Sequence, residues 1–161
     1  MLQKTHDYRK NFFDKYLGAA FKAKGIETVF VQQSPNWYSI DKLVNKVYVA
    51  GDIAISCHLN ASATASSTGT ETLHANGSIN GEKLAKLVQS KLVGVLGLKD
   101  RGLKSITKDD RGGRLVAGTK PPCILTELFF VSNENDYKTA VNKQKEMAEA
   151  IVQAVVEFRQ K

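Results

Sequence analysis

An apolar run that turns polar within a single residue constrains this chain more than any other feature. Asp52-Ile53-Ala54-Ile55 leads into Ser56-Cys57-His58-Leu59-Asn60; a small, polar segment, residues 61–68, follows, and then Gly69-Thr70-Glu71. Residues 53–55 read as a buried strand. Alternation along it puts Ser56, His58 and Asn60 in one row on one face. A core strand that ends in such residues emerges at a site, because ligands of open α/β sheets bind beyond the carboxyl ends of the strands. The competing reading at this point is a core histidine satisfied by a neighbour. Cys57 falls on the opposite face, so packing is expected of it rather than ligation.

The rest of the chain supplies company for that strand. Residues 7–24 read as an amphipathic helix: Phe13, Leu17 and Phe21 recur every four residues, and Gly25 is the expected stop. Residues 26–31 are β-branched and apolar, a strand candidate, followed by a turn at 32–36. Ser39 is placed to cap a short helix through Lys46. Residues 70–74 read as a short strand. Ser78 or Asn80 caps a long helix whose stripe is Leu84, Leu87, Val88, Leu92, Val95 and Leu96, and Gly97 ends it. Residues 99–114 read as a charged loop with a short strand near 103–106, and residues 115–117 as another short strand. After Pro121-Pro122, residues 123–126 form a buried strand ending in Glu127. Ser132 or Asn133 caps a helix near 134–141, and a last helix spans about 143–159, burying Met147, Ile151, Val155 and Phe158. Strands alternate with helices, and the chain of 161 residues has no linker and no internal repeat, so one α/β domain with a largely parallel sheet is expected.

Composition excludes several classes. No apolar run approaches the roughly 20 residues of a membrane span, and the polar first ten residues show no secretory leader. Two cysteines, Cys57 and Cys123, make neither a disulfide framework nor a paired metal motif. The formal charge of +7 is dispersed without a run of five or six, which suggests general attraction to a polyanion. Charge alone leaves nucleic acid, anionic lipid and anionic wall polymer open. The nucleic-acid reading finds no glycine-rich phosphate loop, RNA-recognition aromatic pair or basic helix to support it.

Two strands thus end in ionisable groups, His58 and Glu127. If they are neighbours, an imidazole and a carboxylate meet at one end of the sheet. That pair suits metal-assisted hydrolysis, the imidazole holding zinc while a carboxylate outside the coordination shell takes a proton from water. Glu71 and His74 are further ligand candidates, against the plainer reading of solvated or structural residues. Trp37 and Tyr38, in a predicted turn, are read as a core lid before a sugar-stacking pair.

At Glu127 the pattern becomes specific. Pro121-Pro122-Cys123-Ile124-Leu125-Thr126-Glu127-Leu128-Phe129-Phe130-Val131-Ser132-Asn133, followed by Asp136-Tyr137, resembles the closing motif of the zinc-dependent N-acetylmuramoyl-L-alanine amidases of the amidase_3 family. Ser56-Cys57-His58-Leu59-Asn60-Ala61 resembles that family's Ser-x-His-x-Asn-Ala motif, and Gly69-Thr70-Glu71-Thr72 its Gly-x-Glu segment. Arg101-Gly102-Leu103-Lys104, with Leu115-Val116 after it, resembles its Arg-Gly-x-Lys loop and following strand. The likeness covers almost the whole chain in order and is nearest to phage endolysin catalytic domains.

The resemblance implies a single α/β domain, a twisted, mostly parallel sheet with helices on both faces, over residues 1–161. It implies a peptidoglycan hydrolase that cleaves the amide between N-acetylmuramic acid and the L-alanine of the stem peptide by zinc-activated water. His58 would ligate Zn2+, Glu127 would be the catalytic base and then acid, and Asn60 and Glu71 would contact substrate. Such a protein, made in the cytoplasm without a visible signal peptide, acts on the bacterial cell wall; neither nucleic acid nor membrane insertion is expected. The family's opening strand, which ends in a first histidine ligand, has no counterpart here. Counting back from Gly25 places His6 or its neighbour Thr5 at the position of the family's glutamate ligand; Thr5 is a poor zinc ligand, whereas the His6 imidazole can serve. The missing ligand leaves three readings: a domain that is N-terminally incomplete, with the true protein carrying the strand; a gap filled by Glu71 or His74; or an inactive, metal-poor domain that binds wall polymer. The first is preferred, because Glu127 and the Ser56–Asn60 row are intact. It carries the expectation of an exposed sheet edge beside the site.

Overall fold

The computed structural model describes residues 8–31 and 40–160. Four strands form one sheet: β1 (Ala54–Asn60), β2 (Thr70–Ala75), β3 (Asp100–Ile106) and β4 (Cys123–Phe130), in the order β1-β4-β2-β3. β1 runs parallel to β4 and β2 parallel to β3, while β2 and β4 are antiparallel. The sheet is therefore mixed and mostly parallel, and helices cover both faces.

On one face lie α1, α3 (Ile79–Leu96) and α6 (Gln144–Arg159). Helix α1 is π-helical over Asn11–Leu17 and α-helical over Gly18–Ala23; the Gly18 N–H reaches back five residues to the Phe13 carbonyl. Phe12, Leu84, Val88, Leu92, Met147, Ile151 and Val155 meet Ile124 and Leu128 of β4 in the main core. Each such side chain removed from water contributes about 1.5–3 kcal/mol. Helix α3 starts where Ser78 Oγ accepts from the Gly81 N–H at 3.1 Å and stops at Gly97, φ +64°. The stripe expected from the sequence is the buried stripe. On the opposite face the short α4 (Gly113–Gly118) lays Val116 on Cys123 and Leu125 of β4, beyond which comes α2 (Ile40–Val47). Helix α5 (Glu134–Asn142) is capped by Asn133, whose Oδ1 accepts from the N–H groups of Asn135 and Asp136.

Three local expectations are corrected. Residues 26–31 form no strand; Val29 and Phe30 are exposed, 67% and 52%. Among the described residues their β-branched pattern has no neighbouring strand to pair with, and a strand without a ladder does not form. Residues 115–117 are helical rather than extended. Residues 100–106 form a full strand, because β2 pairs with them along their length. Ser39, Trp37 and Tyr38 lie outside the described residues.

Among the described residues β1 is an edge strand, and its free side faces a cavity of about 1150 Å³. Its residues are half-buried apart from Cys57, whereas seven of the eight residues of β4 are buried.

Candidate functional site

β1, β4 and β2 place three ionisable side chains in one row across the sheet. His58 is the cross-strand partner of Glu127, and Glu127 is the partner of Glu71 on its other side. Directly opposed residues share a face and bring their Cβ atoms to about 5 Å. The row lies at the carboxyl ends of β1 and β4, as an emerging core strand predicts.

Glu127 is the most perturbed member. Burial raises its carboxyl to about 7, the Glu71 charge adds to the rise, and Arg111 opposes it. Its Oε2 is buried and has no hydrogen-bond partner. A buried carboxylate oxygen without a donor is costly, and such atoms concentrate where a ligand or proton is handled. Burial also lowers the pKa of His58, helped by Arg9 and Arg111. Its imidazole is neutral at pH 7 and has a lone pair to offer.

Glu71 is differently placed, with both oxygens held. Oε1 accepts from Asn60 Nδ2 at 2.9 Å, and Oε2 accepts from Arg101 Nε at 3.0 Å. The Arg101 guanidinium lies over the Phe130 ring, 4.9 Å from its centroid. Asn60 and Glu71, singled out separately in the sequence, are thus one hydrogen-bonded pair. Gly69 makes this possible: its φ is +113°, and a Cβ there would collide with the Lys99 carbonyl, to which the Thr70 N–H donates.

The loop between β1 and β2 borders the row and is tied down by a buried carboxylate. Asp136 accepts from Thr68 Oγ1 at 2.6 Å and from the N–H groups of Gly69 and Phe130 at 3.0 and 3.1 Å. Asn133 Nδ2 donates to the carbonyls of Ala65 and Ser67. The Asn133 and Asp136 motif was visible in the sequence, but its tie to the loop was not. Arg101 likewise sat in a visible motif without a role. Arg9 and Arg111 carried no sequence signal at all.

His74 does not join the row. It lies three residues from Glu71 on β2, hence on the other face, paired across the sheet with Ile124, and its Nδ1 lies 3.2 Å from the Ala75 carbonyl. Glu71 and His74 together therefore make no ligand pair. Cys57 faces the core with a thiol pushed up to about 12 by burial, inert as expected. His6 is outside the described residues. Among the described residues, no three of His, Cys, Asp and Glu gather into a metal-holding group.

Comparison with known proteins places this arrangement. The sequence pattern of the family described as N-acetylmuramoyl-L-alanine amidase (Amidase_3) matches residues 7–157. The N-acetylmuramoyl-L-alanine amidase LytC of Bacillus subtilis (strain 168) is 31% identical over 150 residues, 89% of this chain and 29% of that protein. The uncharacterised protein YqiI of the same organism is 29% identical over 139 residues, 83% of this chain and 65% of that protein. The chain thus spans less than two thirds of either relative. Among solved structures, an N-acetylmuramoyl-L-alanine amidase from Clostridium difficile 630 superimposes with a TM-score of 0.81 at 26% identity, covering 96% of this chain and 83% of that one. The catalytic domain of the CD27L endolysin, which targets Clostridia difficile, gives 0.74 at 27% identity, covering 94% and 82%.

Proposed function

We propose, from the premise that this chain belongs to the Amidase_3 family of N-acetylmuramoyl-L-alanine amidases, that it is a peptidoglycan hydrolase acting on the bacterial cell wall. The bond cleaved is the amide between N-acetylmuramic acid and the L-alanine of the stem peptide. The observation that carries the reading is the unpartnered, buried Oε2 of Glu127 beside His58 at the end of β4.

Glu127 is the catalytic group. Held near 7, its carboxyl accepts a proton from the attacking water and returns it to the leaving amine nitrogen without a large penalty in either direction. The neutral His58 and, from outside the described residues, His6 would hold Zn2+. That ion, when bound, acts as a Lewis acid that makes water acidic near neutral pH. The described donors alone fall short of the three protein ligands a catalytic zinc site uses, so His58 fits the ion and the set depends on residues beyond them. The Asn60–Glu71 pair forms the substrate side of the row. Arg101 Nε holds Glu71 Oε2 in place at 3.0 Å, and the Glu71 charge helps hold the proton on Glu127.

The test is release of free L-alanine amino termini from purified cell walls, without new reducing sugar ends, with and without a chelator. The expected result is chelator-sensitive release by the parent protein and none by Glu127→Gln. Release that a chelator leaves untouched would remove zinc from the reading. The shortage of described donors favours one second reading, a metal-poor domain that grips wall polymer through its positive charge. It predicts wall pull-down unaffected by chelator or by Glu127→Ala, with no amino termini released.

A further inference from the structure

Helix α3 buries one amide among hydrocarbon side chains. Gln89 is 4% exposed and is the one polar side chain among the buried residues of that helix; Ala85, Val88 and Leu92 beside it are fully buried. An amide in such a place is costly unless its hydrogen-bonding groups are all used. Gln89 uses them. Oε1 accepts from the Thr72 hydroxyl at 2.8 Å, and Nε2 donates to the Thr70 carbonyl at 2.9 Å and to Asp100 Oδ1 at 2.6 Å. A carbonyl and a carboxylate only accept, so they fix which end of the amide is the nitrogen.

The three partners surround one irregular point of the sheet. Thr70 pairs with Asp100 and Thr72 with Leu103, so the single residue Glu71 on β2 faces two on β3, Arg101 and Gly102. That is a β-bulge, rare between parallel strands and frequent beside sites where a side chain is re-aimed. Asp100 Oδ1, held by Gln89, also accepts from the Gly102 N–H at 2.8 Å, and Gly102 supplies the φ of +75°. Arg101, between them, sends Nε to Glu71 Oε2 at 3.0 Å and lays its guanidinium over Phe130. The amide thus sits on the α3 face of the sheet, and the arm that it anchors acts on the face of the His58–Glu127–Glu71 row. Stability alone does not call for the amide. Asp100 is exposed, so water can supply its carboxylate with donors, and an apolar side chain at position 89 would extend the buried stripe. Water cannot give the bulge a fixed direction.

We propose that Gln89 is a positioning residue for the candidate site: its amide locks the Asp100–Gly102 bulge, and the bulge holds Arg101 on Glu71. The Asn60–Glu71 pair then stands in one orientation beside Glu127. Only the effect on turnover rests on the hydrolase reading above; the lock itself does not.

The test follows the Arg101 Nε–H by proton–nitrogen NMR in the parent protein and in three variants. Gln89→Met keeps the volume and removes the amide. Asp100→Ala removes the acceptor at the exposed end of the lock, and it decides if Gln89→Met fails to fold. Thr72→Val takes a hydrogen bond from Gln89 inside the core and leaves the bulge alone. Exchange of the Arg101 Nε–H with solvent is expected to speed up about tenfold or more in the first two. It should stay near the parent rate in Thr72→Val, although that variant also unfolds more easily in urea. Release of L-alanine amino termini at limiting wall concentration should fall about 10–100-fold in Gln89→Met, and adding Gln89→Met to Arg101→Ala should cost nothing further. The proposal is overturned if the Nε–H keeps its parent exchange rate in Gln89→Met and Asp100→Ala, or if Thr72→Val speeds it as much as they do. It is also overturned if the losses from Gln89→Met and Arg101→Ala multiply. A parent protein that releases no amino termini would sink the hydrolase reading, and the exchange rates would still decide the lock.

Discussion

Among the described residues the sheet ends in two strands of equal length, β3 and β1, each of seven residues. β3 carries Asp100, Arg101, Lys104 and Ser105, has Gly102 at φ +75°, and its register with β2 shifts between Thr70 and Thr72. Charge and irregularity of that kind discourage further pairing. Behind it, Gln89 Nε2 bonds Asp100 Oδ1 at 2.6 Å and the Thr70 carbonyl at 2.9 Å, so the polar groups facing α3 are satisfied. β1 carries no Asp, Glu, Lys, Arg or Gly, although its register with β4 also shifts, between His58 and Asn60. Ile55 and Cys57 line a cavity whose walls mix apolar side chains with charged ones such as Arg9, Asp52 and Arg111. Among the described residues one flank of β4 is finished and the other is open, and the candidate site straddles both, with Glu71 and Arg101 on the first and His58 on the second.

The largest expected effect tests whether both flanks serve one site. Glu127→Gln should lower release of L-alanine amino termini by about 10²–10⁴-fold, and His58→Ala should cause a loss of comparable size. Unchanged release after His58→Ala would confine the chemistry to the finished flank.

Stability should follow the same divide. Leu84→Ala, in the sealed core, is expected to cost about 2–5 kcal/mol in urea unfolding, whereas Ile55→Ala on the open edge should cost about 1 kcal/mol or less. Equal costs would break the comparison.

A pH series isolates the strand between the flanks. The Glu127 carboxyl is raised in the folded state, from 4.5 to about 7, so its contribution is fully present below pH 4.5 and is lost as pH rises through 7. Parent protein should therefore weaken relative to Glu127→Gln across that window, by about 1–3 kcal/mol, and the difference should level off above it. On the finished flank, Arg101→Ala leaves the Glu71 carboxylate without its cation. The pair is partly open to solvent, so the expected cost is about 1–2 kcal/mol by chemical denaturation. The smallest effect belongs to Lys104→Ala on β3, within about 0.5 kcal/mol.

Much of the architecture was legible before any coordinates. The α3 stripe, its Ser78 cap and its Gly97 stop are local signals, and each appears where the periodicity and capping chemistry put it. The polar end of β1 was legible because strand alternation is strict. Residues 26–31 misled for the opposite reason: their β-branched pattern states a preference that only a neighbouring strand can satisfy. Residues 115–117 misled because three apolar residues do not distinguish a short strand from one helical turn.

The sequence by itself determined which residues could do chemistry. His58 and Glu127 close apolar strands, and Asn60, Glu71 and Asp136 sit in recognisable motifs, because these features depend on neighbours along the chain. Only the tertiary structure decided what those residues do to one another. Register across three strands turned His58, Glu127 and Glu71 into one row, gave Glu71 to Asn60 and Arg101, sent His74 to the other face, and left Glu127 Oε2 without a donor. Among the described residues it also paired β1 with β4. Pairing and burial are set by contacts between residues far apart in the chain, and no local pattern records them.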